Sequence, residues 1–269
     1  MCYHPLFCIN RFGDVEFALL REGNVHSAKD WRMVLEPIVA RYRDRDIPHF
    51  FRGDAAFANS KIYEYLEGEH FQYVIRFPAN DVLHREIEHL MTRPVGRPPK
   101  APIVLYHEFH YQAAVWNHQR RVIAKVEWHR GELFPRVGFI VTNLGWRPKN
   151  VVHFYNHRGT AEQCIKEGKN AVNWTRLSCH GFSGNHVRLQ RFVLAYSLGN
   201  FFRQAALPKA VRHWKMTTLR EKLIKIGAKV VCHARYVIFQ MAEVAIAKEL
   251  FAAILVRIGK LGLLEAQSG

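Results

Sequence analysis

The run from Phe154 to Lys169, FYNHRGTAEQCIKEGK, sets Tyr155, Arg158, Glu162 and Lys169 at intervals of three, four and seven residues. Those intervals are helical. At about 100° per residue the four side chains fall within a stripe of roughly 60°, so a phenol, two cations and one carboxylate are expected on a single face. Such a face suits a metal ion beside a phosphate. Solvated helices carry Arg, Glu and Lys at the same spacings through i,i+3 and i,i+4 pairing, so the pattern alone leaves a plain surface helix open. Gly159 and Gly168 each cost such a helix up to about 1 kcal/mol relative to alanine, which argues against a straight helix.

Upstream, Ile47 to Arg52 (IPHFFR) reads as a short strand that stops at Gly53-Asp54, ahead of Ala55-Ala56-Phe57-Ala58. Glycine lets the backbone turn sharply, and a carboxylate just past a strand end sits where ligand sites of α/β folds gather. A plain turn produces the same Gly-Asp pair.

The pattern Y-x2-R-x3-E-x6-K resembles the signature of the DDE transposases of bacterial insertion sequences, in the branch named for those four residues. The run FFRGDAAFANSKIYEYLEGEHFQYVIRFPAN is similar to the second-aspartate segment of that family, and the likeness extends from Tyr3 to about Phe251. The resemblance implies that Asp54 and Glu162 are the second and third metal-binding carboxylates. It implies that Tyr155, Arg158 and Lys169 handle phosphates of the cut transposon end. The implied cofactor is Mg2+, with Mn2+ able to substitute. Two such ions about 4 Å apart activate a water or a 3′-hydroxyl and stabilise the leaving oxygen during in-line attack at phosphorus. The implied fold is α/β: a ribonuclease-H-like core, a β-rich insertion and a mixed α/β C-terminal region.

In that family the first aspartate lies on the first strand, ahead of the segment that the opening residues of this chain resemble. Residues 1–10 read as the second strand, Arg11 to Asp14 as a turn and Val15 to Arg21 as the third strand. Asp14 belongs to the turn Phe12-Gly13-Asp14, where Gly-Asp is expected on structural grounds alone. The core is therefore expected to miss its first strand, which in such sheets separates the second from the fourth. The hydrogen-bond ladder would split and leave bare inner edges. The expectation is an amino-terminally truncated transposase unable to cut DNA alone. The alternative is a catalytically inactive DNA-binding remnant or an inhibitor of an intact transposase; a related nuclease is a third option.

Composition agrees with a polyanionic partner: across 269 residues, 39 Lys plus Arg against 23 Asp plus Glu leave a formal charge of +16. Affinity from that source falls steeply with salt as counterions are released. RNA and membrane surfaces attract the same charge. The resemblance implies double-stranded DNA, both terminal inverted repeats and target, and a homodimer on paired ends. The opening residues lack the basic and apolar regions of a signal peptide. Lys248, Glu249, Arg257 and Lys260 interrupt the apolar stretch Val244 to Leu264, so no membrane span is expected. Five cysteines without a C-x2-C pair fit a reducing bacterial cytoplasm, here nucleoid-associated.

The expected organisation is a first part of the catalytic core at 1–92, a β-rich insertion at 93–150, the remaining core with the signature helix at 151–215, and a C-terminal hairpin and helix at 216–269. Helices are expected from Lys29 to Tyr42, capped by Ser27 and kinked at Pro37, from Lys61 to Glu69, and from Asn185 to Arg203. Phe71 to Phe77, Ile103 to Tyr111, Arg121 to Trp128 and Arg136 to Leu144 read as strands. Between them, Arg93 to Lys100 contains three prolines and marks a boundary. Its Gly96-Arg97-Pro98 is similar to the core of the AT-hook, which lays arginine in the minor groove; a basic linker reads the same way. Trp116, Trp128 and Trp146 are core candidates that, if exposed, could stack on an extruded base. His107 and His110 fall on opposite faces of a strand, which argues against a shared zinc.

Overall fold

The first hairpin turns on Asn10, whose side-chain oxygen accepts hydrogen bonds from the N–H groups of Phe12 (2.9 Å) and Asp14 (3.0 Å). Gly13 takes the left-handed position there at φ +86°. The flanking strands β1 (Leu6–Ile9) and β2 (Val15–Leu19) pair antiparallel. Asp14 is engaged by this turn: Asn200 donates to its carboxylate at 2.6 Å and to the Phe12 carbonyl at 3.0 Å.

The computed structural model describes residues 2–96, 100–233, 236–241 and 246–265. The chain divides into two units, one of residues 3–22 and 161–269, the other of residues 23–160 with Cys2. The second unit follows the sequence pattern closely. Its elements are α1 (Trp31–Tyr42), β3 (Phe50–Gly53), α2 (Ser60–Gly68), β4 (Gln72–Phe77), α3 (Asp81–Glu86), β5 (Ile103–Tyr111), β6 (Arg120–Trp128), β7 (Arg136–Thr142) and α4 (Pro148–Asn156). Helix α1 begins at Trp31, after Asp30 in a left-handed conformation and without a side-chain cap, so Ser27 does not start it. Pro37 lies inside it.

The five strands form one mixed sheet in the order β3-β4-β7-β6-β5, with β3 parallel to β4 and every other pair antiparallel. The strands after the basic segment thus hydrogen-bond into the same sheet as the strand that leads to Asp54. Alternation sorts the two faces. Tyr73, Ile75, Val122, Ala124, Phe139 and Val141 pack with residues of α1, α2 and α3, and Val74, Ile123 and Ile140 pack with Val151, Val152 and Tyr155 of α4. Strand β3 is an edge of this sheet, and the hairpin β1–β2 is a sheet of its own. Trp116 and Trp128 are buried, whereas Trp146 is half exposed.

One charged residue is built into this core. The guanidinium of Arg120 binds both carboxylate oxygens of Glu67 at 2.8 Å each, and the Tyr73 hydroxyl donates to the same carboxylate at 2.7 Å. Tyr63 and Trp116 offer ring faces to Arg120, at 5.3 and 5.4 Å from their centroids.

In the first unit the hairpin packs with α5 (Gly159–Ala171), α6 (Phe182–Ala205), α7 (Met216–Leu219) and α8 (Lys248–Glu265); β8 (Ala228–His233) and β9 (Tyr236–Met241) form a second hairpin. Phe7 stacks on Trp174 at 4.6 Å, and Tyr196 lies 5.1 Å from the same indole. Gln190 of α6 donates to the Ala18 carbonyl at 2.7 Å, tying that helix to β2. Glu167 accepts from Arg203 at 3.2 Å and from the Met216 N–H at 2.7 Å. The basic run near the end is largely engaged: Arg220 and Lys225 pair with Glu221, and Lys222 lies over Trp214 at 5.2 Å. Among the described residues no helix is long and apolar enough to cross a membrane.

Gly168 explains a residue that helix propensity disfavours. A Cβ there would meet the Trp174 ring at 2.3–2.4 Å, and Trp174 is fully buried. Gly168→Ala gains about 1 kcal/mol of intrinsic propensity but must displace a ring that has no room to move. A net loss of about 1–3 kcal/mol is expected from overpacking, read as a lower denaturation midpoint. Gly159, with open space around its Cβ position, is the control: Gly159→Ala leaves the midpoint unchanged or raises it.

Candidate functional site

Asp54 stands where β3 ends. Its backbone is extended, and its Oδ1 accepts from the Ala56 N–H at 3.0 Å, capping the 3-10 turn Ala55–Phe57. Gly53 beside it is closely flanked: a Cβ there would approach Phe51 and Phe57 side-chain atoms at 3.1 Å, so those neighbours would have to give by a few tenths of an ångström. The cap fixes one carboxylate oxygen, and the other lies 3.7 Å from Nη1 of Arg158. The carboxylate is 45% exposed.

Arg158 reaches that position because α4 stops. Helical bonding ends at Asn156; the Arg158 N–H bonds back three residues to the Tyr155 carbonyl (2.8 Å) and the Thr160 N–H to the His157 carbonyl (3.2 Å). The expectation of one helix presenting all four signature residues on a single face is therefore corrected. The break falls at His157-Arg158, just before Gly159, which has no Cβ to pack. Tyr155 is buried against the sheet at the end of α4, and the Arg158 guanidinium sits 5.9 Å from its ring centroid. Tyr155, Arg158 and Asp54 are thus gathered within one unit.

Glu162 and Lys169 belong to the other unit, on α5. They occupy its first and last turns, where a carboxylate and a cation each complement the helix dipole. Seven residues apart, they share a face. Cys164, Gly168 and Ala171 form the buried stripe on the opposite side, so Glu162 and Lys169 are exposed. Arg97 lies outside the described residues, as do the prolines that follow it.

A residue not singled out in the sequence holds the Asp54 side of the site together. The shortened last turn of α4 leaves the Phe154 carbonyl without its usual i+4 donor, and Nη1 of Arg52 takes it at 3.1 Å. The guanidinium also lies 4.9 Å over the Phe154 ring. Burial lowers the pKa of Arg52, yet an arginine remains charged at neutral pH, so a cation sits at a helix C-terminus where the dipole favours it. Arg52 is two residues from Asp54, and Phe154 is next to Tyr155. The detectable signal was an arginine within an otherwise apolar strand. Arg52→Met should cost about 1–3 kcal/mol by orphaning that carbonyl. Hydrogen exchange should show faster exchange of the Arg158 amide, with partial rescue in Arg52→Lys.

Trp146 joins this edge as well, 5.5 Å from Phe154 and 5.7 Å from Phe50. In donor chemistry Asp54 and Glu162 fit a hard divalent cation: both are carboxylates with solvent access, and Asp54 has one oxygen beyond its backbone cap. Among the described residues no group of three or more His, Cys, Asp or Glu is poised to share one ion.

These features define an α/β protein with a mixed central sheet, helices on both sheet faces, and an acid at the end of an edge strand. A family model described as Transposase DDE domain group 1 matches residues 1–263, and the chain belongs to that family. The mixed sheet is consistent with the ribonuclease-H-like fold of DDE transposases. Comparison with curated proteins gives no match.

Proposed function

We propose that this chain is a DDE transposase of a bacterial insertion sequence that binds terminal inverted repeats, cleaves at the element's end and joins the 3′-hydroxyl to target DNA. The observation that carries this reading is the grouping of Asp54, Arg158 and Tyr155 at the end of β3 in a chain of the DDE family. Asp54 and Glu162 are two of the carboxylates that hold Mg2+. Bound there, the ion supplies charge stabilisation for in-line displacement at phosphorus. Arg158, 3.7 Å from Asp54, places a cation beside that carboxylate for a phosphate to meet. Tyr155 backs the guanidinium, and Lys169 supplies a second cation on the Glu162 face. Site of action and assembly follow from the same reading: the bacterial nucleoid, as a dimer on paired ends.

The edge position of β3 favours a second reading, a DNA-binding remnant or inhibitor of an intact transposase. Among the described residues no strand pairs with its outer side. Two measurements separate these readings. Fluorescence anisotropy with inverted-repeat duplexes is expected to show binding that weakens steeply with salt. Mg2+-dependent nicking by the chain, alone or preceded by a strand ending in aspartate, distinguishes cutting from binding; neither binding nor nicking by either form overturns both.

A further inference from the structure

We infer that His153 and His157 form a chelating site for a borderline divalent transition ion of the Zn2+, Ni2+ or Cu2+ class, separate from the carboxylates assigned to Mg2+. The two histidines stand four residues apart, so their side chains are neighbours across one helical turn. Their Nε2 atoms are 3.3 Å apart, with ring centroids at 4.9 Å and planes at 88°. Two zinc–imidazole bonds of about 2.0–2.1 Å meeting at a tetrahedral angle span about 3.3–3.4 Å. The pair already has that bite. Without an ion the same two nitrogens lie within hydrogen-bond distance of each other, so metal uptake replaces one shared proton.

Both rings are exposed, which leaves the remaining coordination positions to water. Imidazole nitrogen selects zinc-class ions, whereas Mg2+ prefers oxygen and keeps its waters. The location strengthens the case. His157 is the C-cap of α4, one residue past Asn156, and a cation there meets the negative end of the helix dipole. An ion held between residues 153 and 157 pins the turn from which Arg158 extends toward Asp54. The inference stands on the helix geometry alone and does not require the transposase reading.

The test is calorimetric titration of the chain with Zn2+ at pH 7.5, for the native sequence, His153→Gln, His157→Gln and the double variant. Fourteen other histidines provide background, since the chain has 16 in all, so the result is read as the difference between proteins. One site per chain is expected, weakened at least tenfold by either single change. It should remain indifferent to millimolar Mg2+. Because both side chains are exposed, the variants should match the native circular dichroism spectrum without metal. Identical isotherms for the native and double-variant chains, or no Zn2+ uptake by the native chain, overturn the inference.

Discussion

Glu162→Ala abolishes Mg2+-dependent strand cleavage and leaves binding to inverted-repeat DNA nearly intact: that is the expected result in a cleavage-competent form of the protein. Carboxylates that hold catalytic ions account for several kcal/mol of transition-state stabilisation, and each 1.36 kcal/mol is a factor of ten in rate. A loss of about a thousandfold or more follows. Binding should survive because Glu162 is exposed on the side of α5 away from its core, so its removal disturbs no packing, and the lost negative charge favours DNA if anything. Unaltered nicking by the variant, scored on an end-labelled duplex, would remove Glu162 from the site. Arg158→Ala is expected to act differently, mainly weakening the grip on the end.

Glu67→Ala should be the most damaging single change to stability. It strands the buried guanidinium of Arg120, whose side chain is 2% exposed, and breaking such a pair costs about 3–5 kcal/mol. That is a large share of the roughly 5–15 kcal/mol that holds a domain folded. The pair also sets an acid limit. Burial pushes the Glu67 carboxyl up, but the hydrogen bonds from Arg120 and Tyr73 outweigh it and leave the pKa below its usual value. A group depressed in the folded state contributes stability above its unfolded pKa, near 4.3, and loses it as pH falls through the lower folded value. Unfolding midpoints measured from pH 6 down to pH 2 should therefore converge for the native and Glu67→Gln chains at the acid end. A constant gap across that range would contradict the assignment.

Much of the sheet was legible because alternation is a local signal. Strands β4, β5, β6 and β7 fall where runs of β-branched and aromatic residues place them, and Asp54 follows its strand as the Gly53 turn predicted. Side-chain spacing within one segment was less informative. The interval from Tyr155 to Glu162 is compatible with an unbroken helix, and nothing local announces that Arg52, about a hundred positions away, satisfies the Phe154 carbonyl that an unbroken helix would use. In the sequence Gly168 is a cost to the helix, whereas its reason is Trp174. The Arg120–Glu67 pair leaves no local signal for the same cause: both residues look like ordinary surface charges until the fold brings them together.

The chain passes from one unit to the other between Thr160 and Ala161, one residue ahead of Glu162. The four-residue motif is therefore not a portable cassette. Grafting Phe154 to Lys169 onto another helix would carry the letters without the sheet that seats Tyr155 or the indole that Gly168 accommodates. Peptides spanning this run should for the same reason show none of the arrangement found in the intact protein.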